Sequence, residues 1–158
     1  MHRRALCVAI ATAFVLSGCA SFPAEPSGRD SRDTAATLVG AWEVTARRAS
    51  GVGKNLLTFS SDGTFFRSGD SHPRFSGGHG AWKMVSRGIY EASYVAFGFD
   101  TTGKWTGISR NNLRVRLAPG GDSFEGTVKT SNQDLQDNVL NTGSSPLEGR
   151  RIRVQPFE

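Results

Sequence analysis

Leu113-Arg114-Val115-Arg116-Leu117 is the stretch on which the fold turns. Aliphatic and cationic residues alternate one for one. Successive side chains of an extended chain point to opposite faces, so Leu113, Val115 and Leu117 make a core face and the arginines a solvent face. Similar short runs, ended by Gly, Asp, Asn or Pro, occupy residues 39–46, 55–60, 64–68, 80–85, 89–99, 104–109, 123–130 and 149–154. Between them lie strong turn signals: Ser61-Asp62-Gly63, Arg87-Gly88, Thr102-Gly103 and Pro119-Gly120-Gly121-Asp122. No helical period of apolar residues follows residue 37. The pattern predicts an all-β fold, an antiparallel barrel or sandwich, with 19 glycines to supply turns, bulges and bends. Residues 139–141 form one further short candidate strand inside a polar stretch from 131 to 146.

The run 89–99 is the longest and reads two ways. Tyr90, Ala92, Tyr94, Ala96 and Gly98 share one face, while Val95, Phe97 and Phe99 share the other. Burial of apolar area favours Val95, Phe97 and Phe99 as the core side, with the tyrosines outside. In the opposite arrangement, two phenols and three small residues line an internal space. There is also an echo at an offset of 40: Gly40-Ala41-Trp42 recurs as Gly80-Ala81-Trp82, Phe59 falls on Phe99, Gly63 on Gly103, and Phe65 meets Trp105. An internal repeat and the shared grammar of hairpins explain it equally well.

The chain opens with basic Arg3 and Arg4 and an uncharged apolar run over residues 5–16. At about 12 residues, where roughly 20 span a bilayer, this reads as an export signal. It leads directly into Leu16-Ser17-Gly18-Cys19, which resembles the lipobox of bacterial lipoproteins. The resemblance implies that residues 1–18 are a signal peptide removed on export. It also implies that Cys19 is thioether-linked to diacylglycerol and becomes the acylated first residue. Ala20, in place of an Asp at the second mature position, resembles lipoproteins delivered to an outer membrane facing the periplasm. Residues 19–37, rich in Pro, Ser and charge, predict a flexible tether about 20–25 Å in mean span. Residues 38–158 then form the folded domain.

Removing the signal takes Cys7 with it and leaves Cys19 alone, so no disulfide within one chain is expected. The net charge of +5 includes Arg3 and Arg4; without them, 17 basic residues face 14 acidic ones. That bias is too mild for a nucleic-acid partner; it suits contact with acidic lipid or polysaccharide surfaces, or simply keeps the domain soluble. The expected partners are therefore the membrane, through the anchor, and a small apolar ligand, with the protein partner left open.

Gly40-Ala41-Trp42 at the start of the first strand resembles the Gly-x-Trp signature of lipocalins and the wider calycin group. The resemblance implies an up-and-down antiparallel barrel of about eight strands, with Trp42 at its closed end. It also implies that a late arginine, from Arg150, Arg151 and Arg153, packs across the indole, with Arg151 the structural candidate. Such a cation–π contact contributes about 0.5–2 kcal/mol.

Catalytic parts are few. Asp70, His72 and His79 have a spacing open to a metal, but loop histidines beside Pro and Gly are ordinarily solvated, so no metal or cofactor is expected. No Gly-x-Ser-x-Gly is present, Asp134 and Asp137 lie in a polar stretch, and Gly77-Gly78-His79-Gly80 lacks the Lys-Ser/Thr of a phosphate loop. Tyr90, Tyr94, Trp105 and His79 remain as candidate ligand contacts, with no residue assigned to catalysis. The leading expectation is a non-catalytic, lipid-anchored envelope barrel that binds a small apolar ligand or envelope component, or is structural. The alternatives are a barrel enzyme of the cyclase or isomerase kind, with Tyr94 or His79 moving a proton, and a protein-binding module such as a protease inhibitor.

Overall fold

In the computed structural model, residues 37–71 and 73–158 are described. Cys19, the expected signal, all but the last residue of the expected tether, and His72 lie outside them. Within the described residues each of the four turn signals reverses the chain. Ser61-Asp62-Gly63 joins β2 (Gly51–Phe59) to β3 (Thr64–Gly69), and Arg87-Gly88 joins β4 (Gly78–Ser86) to β5 (Ile89–Phe99). Thr102-Gly103 precedes β6 (Trp105–Leu117), and the Pro119 turn leads into β7 (Ser123–Gln133). With β1 (Gly40–Arg48) and β8 (Val139–Arg151), eight antiparallel strands pair in sequence order, and β8 returns to β1. The fold is a closed, all-β, up-and-down barrel, as the period-two reading and the calycin resemblance lead one to expect.

Two pairs of runs fuse. Residues 105–109 of the run 104–109 and residues 113–117 belong to the single strand β6, and 139–141 and 149–151 both belong to β8. The polar stretch 131–146 is therefore largely paired strand: Ser131 faces Thr142 and Lys129 faces Ser144. The ladder between β7 and β8 pairs the backbone of these segments whatever their side chains, so a polar sequence can still be a strand.

The facing of β5 corrects the expectation from apolar area. Tyr90 pairs with Val115, Ala92 with Leu113 and Tyr94 with Asn111, and paired residues share a face. Because Leu113 and Val115 are core, Tyr90, Ala92, Tyr94 and Ala96 point inward, whereas Phe97 is 54% exposed. The barrel interior has a fixed width, so small residues on one strand make room for large ones on its neighbours.

The echo at an offset of 40 resolves into hairpin chemistry. In Ser60–Thr64, Asp100–Lys104 and Asp134–Asn138, the first N–H donates to the fifth carbonyl and the fourth N–H to the first carbonyl. The fourth residue has positive φ in each: Gly63 (87°), Gly103 (81°) and Asp137 (63°). Trp42 and Trp82 both donate their indole N–H to a carbonyl, of Leu38 and Ser60 respectively. The likeness ends at Trp105, which is half exposed, where Phe65 is buried.

Aromatic residues fill one end of the barrel. Phe59 stacks on Phe65 at 4.6 Å and meets Trp82 edge-on, Trp82 meets Tyr90, and Trp42 packs on Phe124 at 4.9 Å. Leu38, fully buried, joins this cluster from the chain just before β1. Arg151 seals it. Its guanidinium lies 4.2 Å from the Trp42 ring centroid and donates to the carbonyls of Gly121, Val39 and Thr37. One side chain thus ties the last strand, the first strand, the β6–β7 turn and the incoming chain. Outside, Arg110, Asn112, Arg114 and Arg116 are exposed along β6, so this face meets water rather than hydrocarbon.

Candidate ligand cavity

Strand alternation carries the same inward rows on toward the other end, but their chemistry changes. On β6 the row Leu117, Val115, Leu113 continues as Asn111 and Ser109, each only 5% exposed. On β2 it passes from Phe59 and Leu57 to Asn55; on β3 it passes from Phe65 to Arg67. Large apolar side chains give way to polar ones, and the interior is left unfilled. A cavity of about 450 Å³ results. This is within the range of about 300–1,000 Å³ typical of small-molecule sites.

Val44, Leu57, Leu113, Val128 and Leu147 form its apolar floor, above the aromatic plug. Asn55, Arg67, Tyr94, Ser109, Asn111 and Thr130 form a polar belt higher up. Thr130 donates to Asn111 Oδ1 at 2.7 Å, and Asn111 donates to Ser109 Oγ at 3.0 Å. Arg67 donates through Nε to Asn55 Oδ1 at 2.9 Å and through Nη2 to Ser71 Oγ at 3.0 Å. The Oδ1 of Asn132, also on the lining, is buried without a partner among the described residues.

The cavity reaches the surface at the end bearing the β1–β2 turn, where exposed Arg48, Ala49 and Ser50 line it. A slit extends this mouth. β1 pairs with β8 only between Trp42–Arg151 and Ala46–Leu147, so residues 139–146 of β8 have β7 on one side and no paired strand on the other. Asn141 to Ser145 line the cavity along that free edge. The incoming chain at Thr37 and Leu38 lies at the opposite, sealed end.

The four expected ligand contacts are split up by this geometry. Tyr94 lines the cavity, its ring lying 5.7 Å from Phe65 and so close to Gly78 that a Cβ there would meet the ring at 2.4 Å. Tyr90 is buried in the aromatic plug below. Trp105 and His79 are on the exterior: Trp105 packs edge-on to Phe97, and His79 edge-on to Phe66. These two do not line the cavity, because His79 pairs with outward Val95 and so points away from it. His79 and Tyr94 therefore lie on opposite faces, and the structure does not bring them together for proton transfer. Burial pushes the Tyr94 phenol above its ordinary 10, while the nearby Arg67 and Arg48 oppose that shift. It is a neutral hydrogen-bonding group at physiological pH, not a base. Comparison with protein-family models, curated proteins and solved structures finds no match for this chain.

Arg67, Asn55 and Asn111 were not among the sequence candidates. A signal for Asn111 exists, since it continues the Leu117–Val115–Leu113 row by two residues. For Arg67 the signal is ambiguous. Phe65 and Phe66 are adjacent, and either can be taken as the inward residue of β3. Among the described residues no cluster of three His, Cys, Asp or Glu is placed to hold a metal.

Proposed function

We propose that this protein is a lipid-anchored cell-envelope protein whose barrel holds a small, largely apolar ligand without chemically changing it. The observation that carries the reading is the unfilled upper half of the barrel. A purely structural barrel of this size fills its interior with side chains, whereas this one has an apolar floor, a polar belt and a mouth. The reading of the anchor rests on Leu16-Ser17-Gly18-Cys19 and on the apolar run before it. Its consequence for the site is geometric. A tether that joins at the sealed end leaves the mouth at the far end of the barrel, free to meet a ligand.

Mass spectrometry of the full chain purified from producing cells tests both halves. Denaturing spectra should show a mature N-terminus at Cys19 carrying acyl chains, and native spectra should add one exchangeable, non-covalent small molecule per chain. In Cys19→Ser the acyl mass should vanish and the protein should leave the membrane fraction. An unmodified wild-type N-terminus would end the anchor reading. An apo spectrum that stays apo when the protein is incubated with envelope lipid extract would end the binding reading.

A further inference from the structure

The cavity holds a cation whose counter-charge is missing. Arg67 is 6% exposed and lines the cavity, yet among the described residues no carboxylate forms an ion pair with it. Its protein partners are two neutral oxygens, Asn55 Oδ1 and Ser71 Oγ, which leave Nη1 without a hydrogen-bonded acceptor among those residues. The lining as a whole contains Arg67 and Arg48 and no acidic side chain. A buried charge without an opposite charge is unfavourable, and a bound anion at Arg67 offsets that cost. The backbone is shaped around it as well. A Cβ on Gly69 would fall 2.0 Å from Arg67 Nη2 and 2.6 Å from Asn55 Oδ1, so only glycine lets the guanidinium lie where it does.

Taking the cavity as a ligand site, as proposed above, we infer that its ligand is an amphiphilic anion. A carboxylate or phosphate head accepts hydrogen bonds from Arg67, and an aliphatic body lies along Val44, Leu57, Leu113 and Leu147. Tyr94, held as a neutral phenol, and Asn111 flank the head from β5 and β6. Arg48 at the rim adds a second positive charge that draws the anion toward the mouth. A guanidinium matches either head through paired N–H groups, so the cavity chemistry is common to fatty acids and alkyl phosphates.

The test is calorimetric titration of the full-length protein in nanodiscs with decanoate, decyl phosphate, decanol and inorganic phosphate, each corrected against empty nanodiscs. At least one of the two anionic amphiphiles should bind about tenfold or more tighter than decanol, and inorganic phosphate alone only weakly. The ratio of decanoate to decyl phosphate identifies the head. In Arg67→Met the preference should shrink to about threefold or less while decanol binding persists, which also shows that the cavity is intact. Arg67→Lys, which keeps the charge, should retain part of the preference. Decanol binding as tightly as both anions, or an unchanged preference in Arg67→Met, would overturn the anion site and leave an apolar cavity standing. If Arg67→Met loses decanol as well, a preference absent from a decanol-binding Arg67→Lys would overturn the proposal, and one that persists there would support it. No binding of any amphiphile by the wild type would instead remove the ligand-cavity reading itself.

Discussion

The two ends of this barrel are built from the same eight strands and the same alternation, yet they obey opposite rules. At the sealed end the inward positions are Trp42, Phe59, Phe65, Trp82, Tyr90 and Phe124, packed ring against ring. At the mouth the inward positions are Asn55, Arg67, Ser109, Asn111 and Thr130 around empty space. Burial of apolar surface stabilises a fold in proportion to area, so the first end is where stability resides. The second end does little for folding, and four of its residues are buried polar groups that an ordinary core would exclude. A departure from core rules at one end only, with the departing residues arranged around a cavity, supports the proposed reading of that end as a ligand site.

Substitutions at the two ends should differ sharply in cost. Phe59→Ala removes a fully buried ring that touches both Phe65 and Trp82, and it should lower the free energy of unfolding by about 3–5 kcal/mol. Asn111→Leu, also at a buried position but on the cavity wall, should change it by less than about 1 kcal/mol in either direction. There the lost bonds to Thr130 and Ser109 are replaced by water in an open site, and the leucine fills vacant space. Urea unfolding of the full chain measures both. Equal costs would mean that the upper half is as much a core as the lower, and that the contrast between the ends is false.

The sealed end was legible in the sequence and the mouth was not, for a physical reason. Leu113-Arg114-Val115-Arg116-Leu117 declares its faces because apolar and charged residues alternate cleanly, and Gly40-Ala41-Trp42 with a late arginine marks the closure that Arg151 provides. Turn positions were equally readable, since positive φ at Gly63 and Gly103 demands a residue type. Residues 131–146 lack that clarity. A strand lining a polar cavity on one side and facing water on the other has no apolar period, so Ser131 to Pro146 looks like a loop. Strand β5 misled in a different way. Area alone places Val95 and Phe97 inside, but the facing of β5 is fixed by its register with β6, and the composition of β5 by itself does not state that register. Tyr94 was visible as a candidate, whereas Arg67 depended on which of two adjacent phenylalanines points inward.

The smallest expected effect concerns acid, and it too should distinguish the ends. Three exposed carboxylates cap hairpin turns, and all are held below their ordinary 3.8. Asp62 is lowered chiefly by the Thr64 N–H, Asp100 by the Thr102 hydroxyl and Asp134 by the Asn138 side chain. A carboxyl whose folded pKa is depressed contributes stability above its unfolded value, and that contribution is lost as pH falls through the folded value. The caps are unevenly distributed. Asp62, at the sealed end, accepts one backbone N–H at 2.8 Å. Asp100 and Asp134 lie at the mouth end, and each accepts three bonds, from Thr102 and Lys104 in one case and from Gln136 and Asn138 in the other. Below about pH 3.8 the mouth-end turns should therefore lose the larger contribution. Pulsed hydrogen exchange across pH 2–5 should show the amides of Thr102, Lys104 and Asn138 losing more protection on acidification than the Thr64 amide of the sealed-end turn. In Asp134→Asn, whose amide oxygen stays an acceptor but does not titrate, the Asn138 amide should lose its acid dependence while Thr102 keeps it. Equal loss of protection at Thr64 would mean that the turns of the two ends are held alike, and that the contrast between the ends does not extend to its turns.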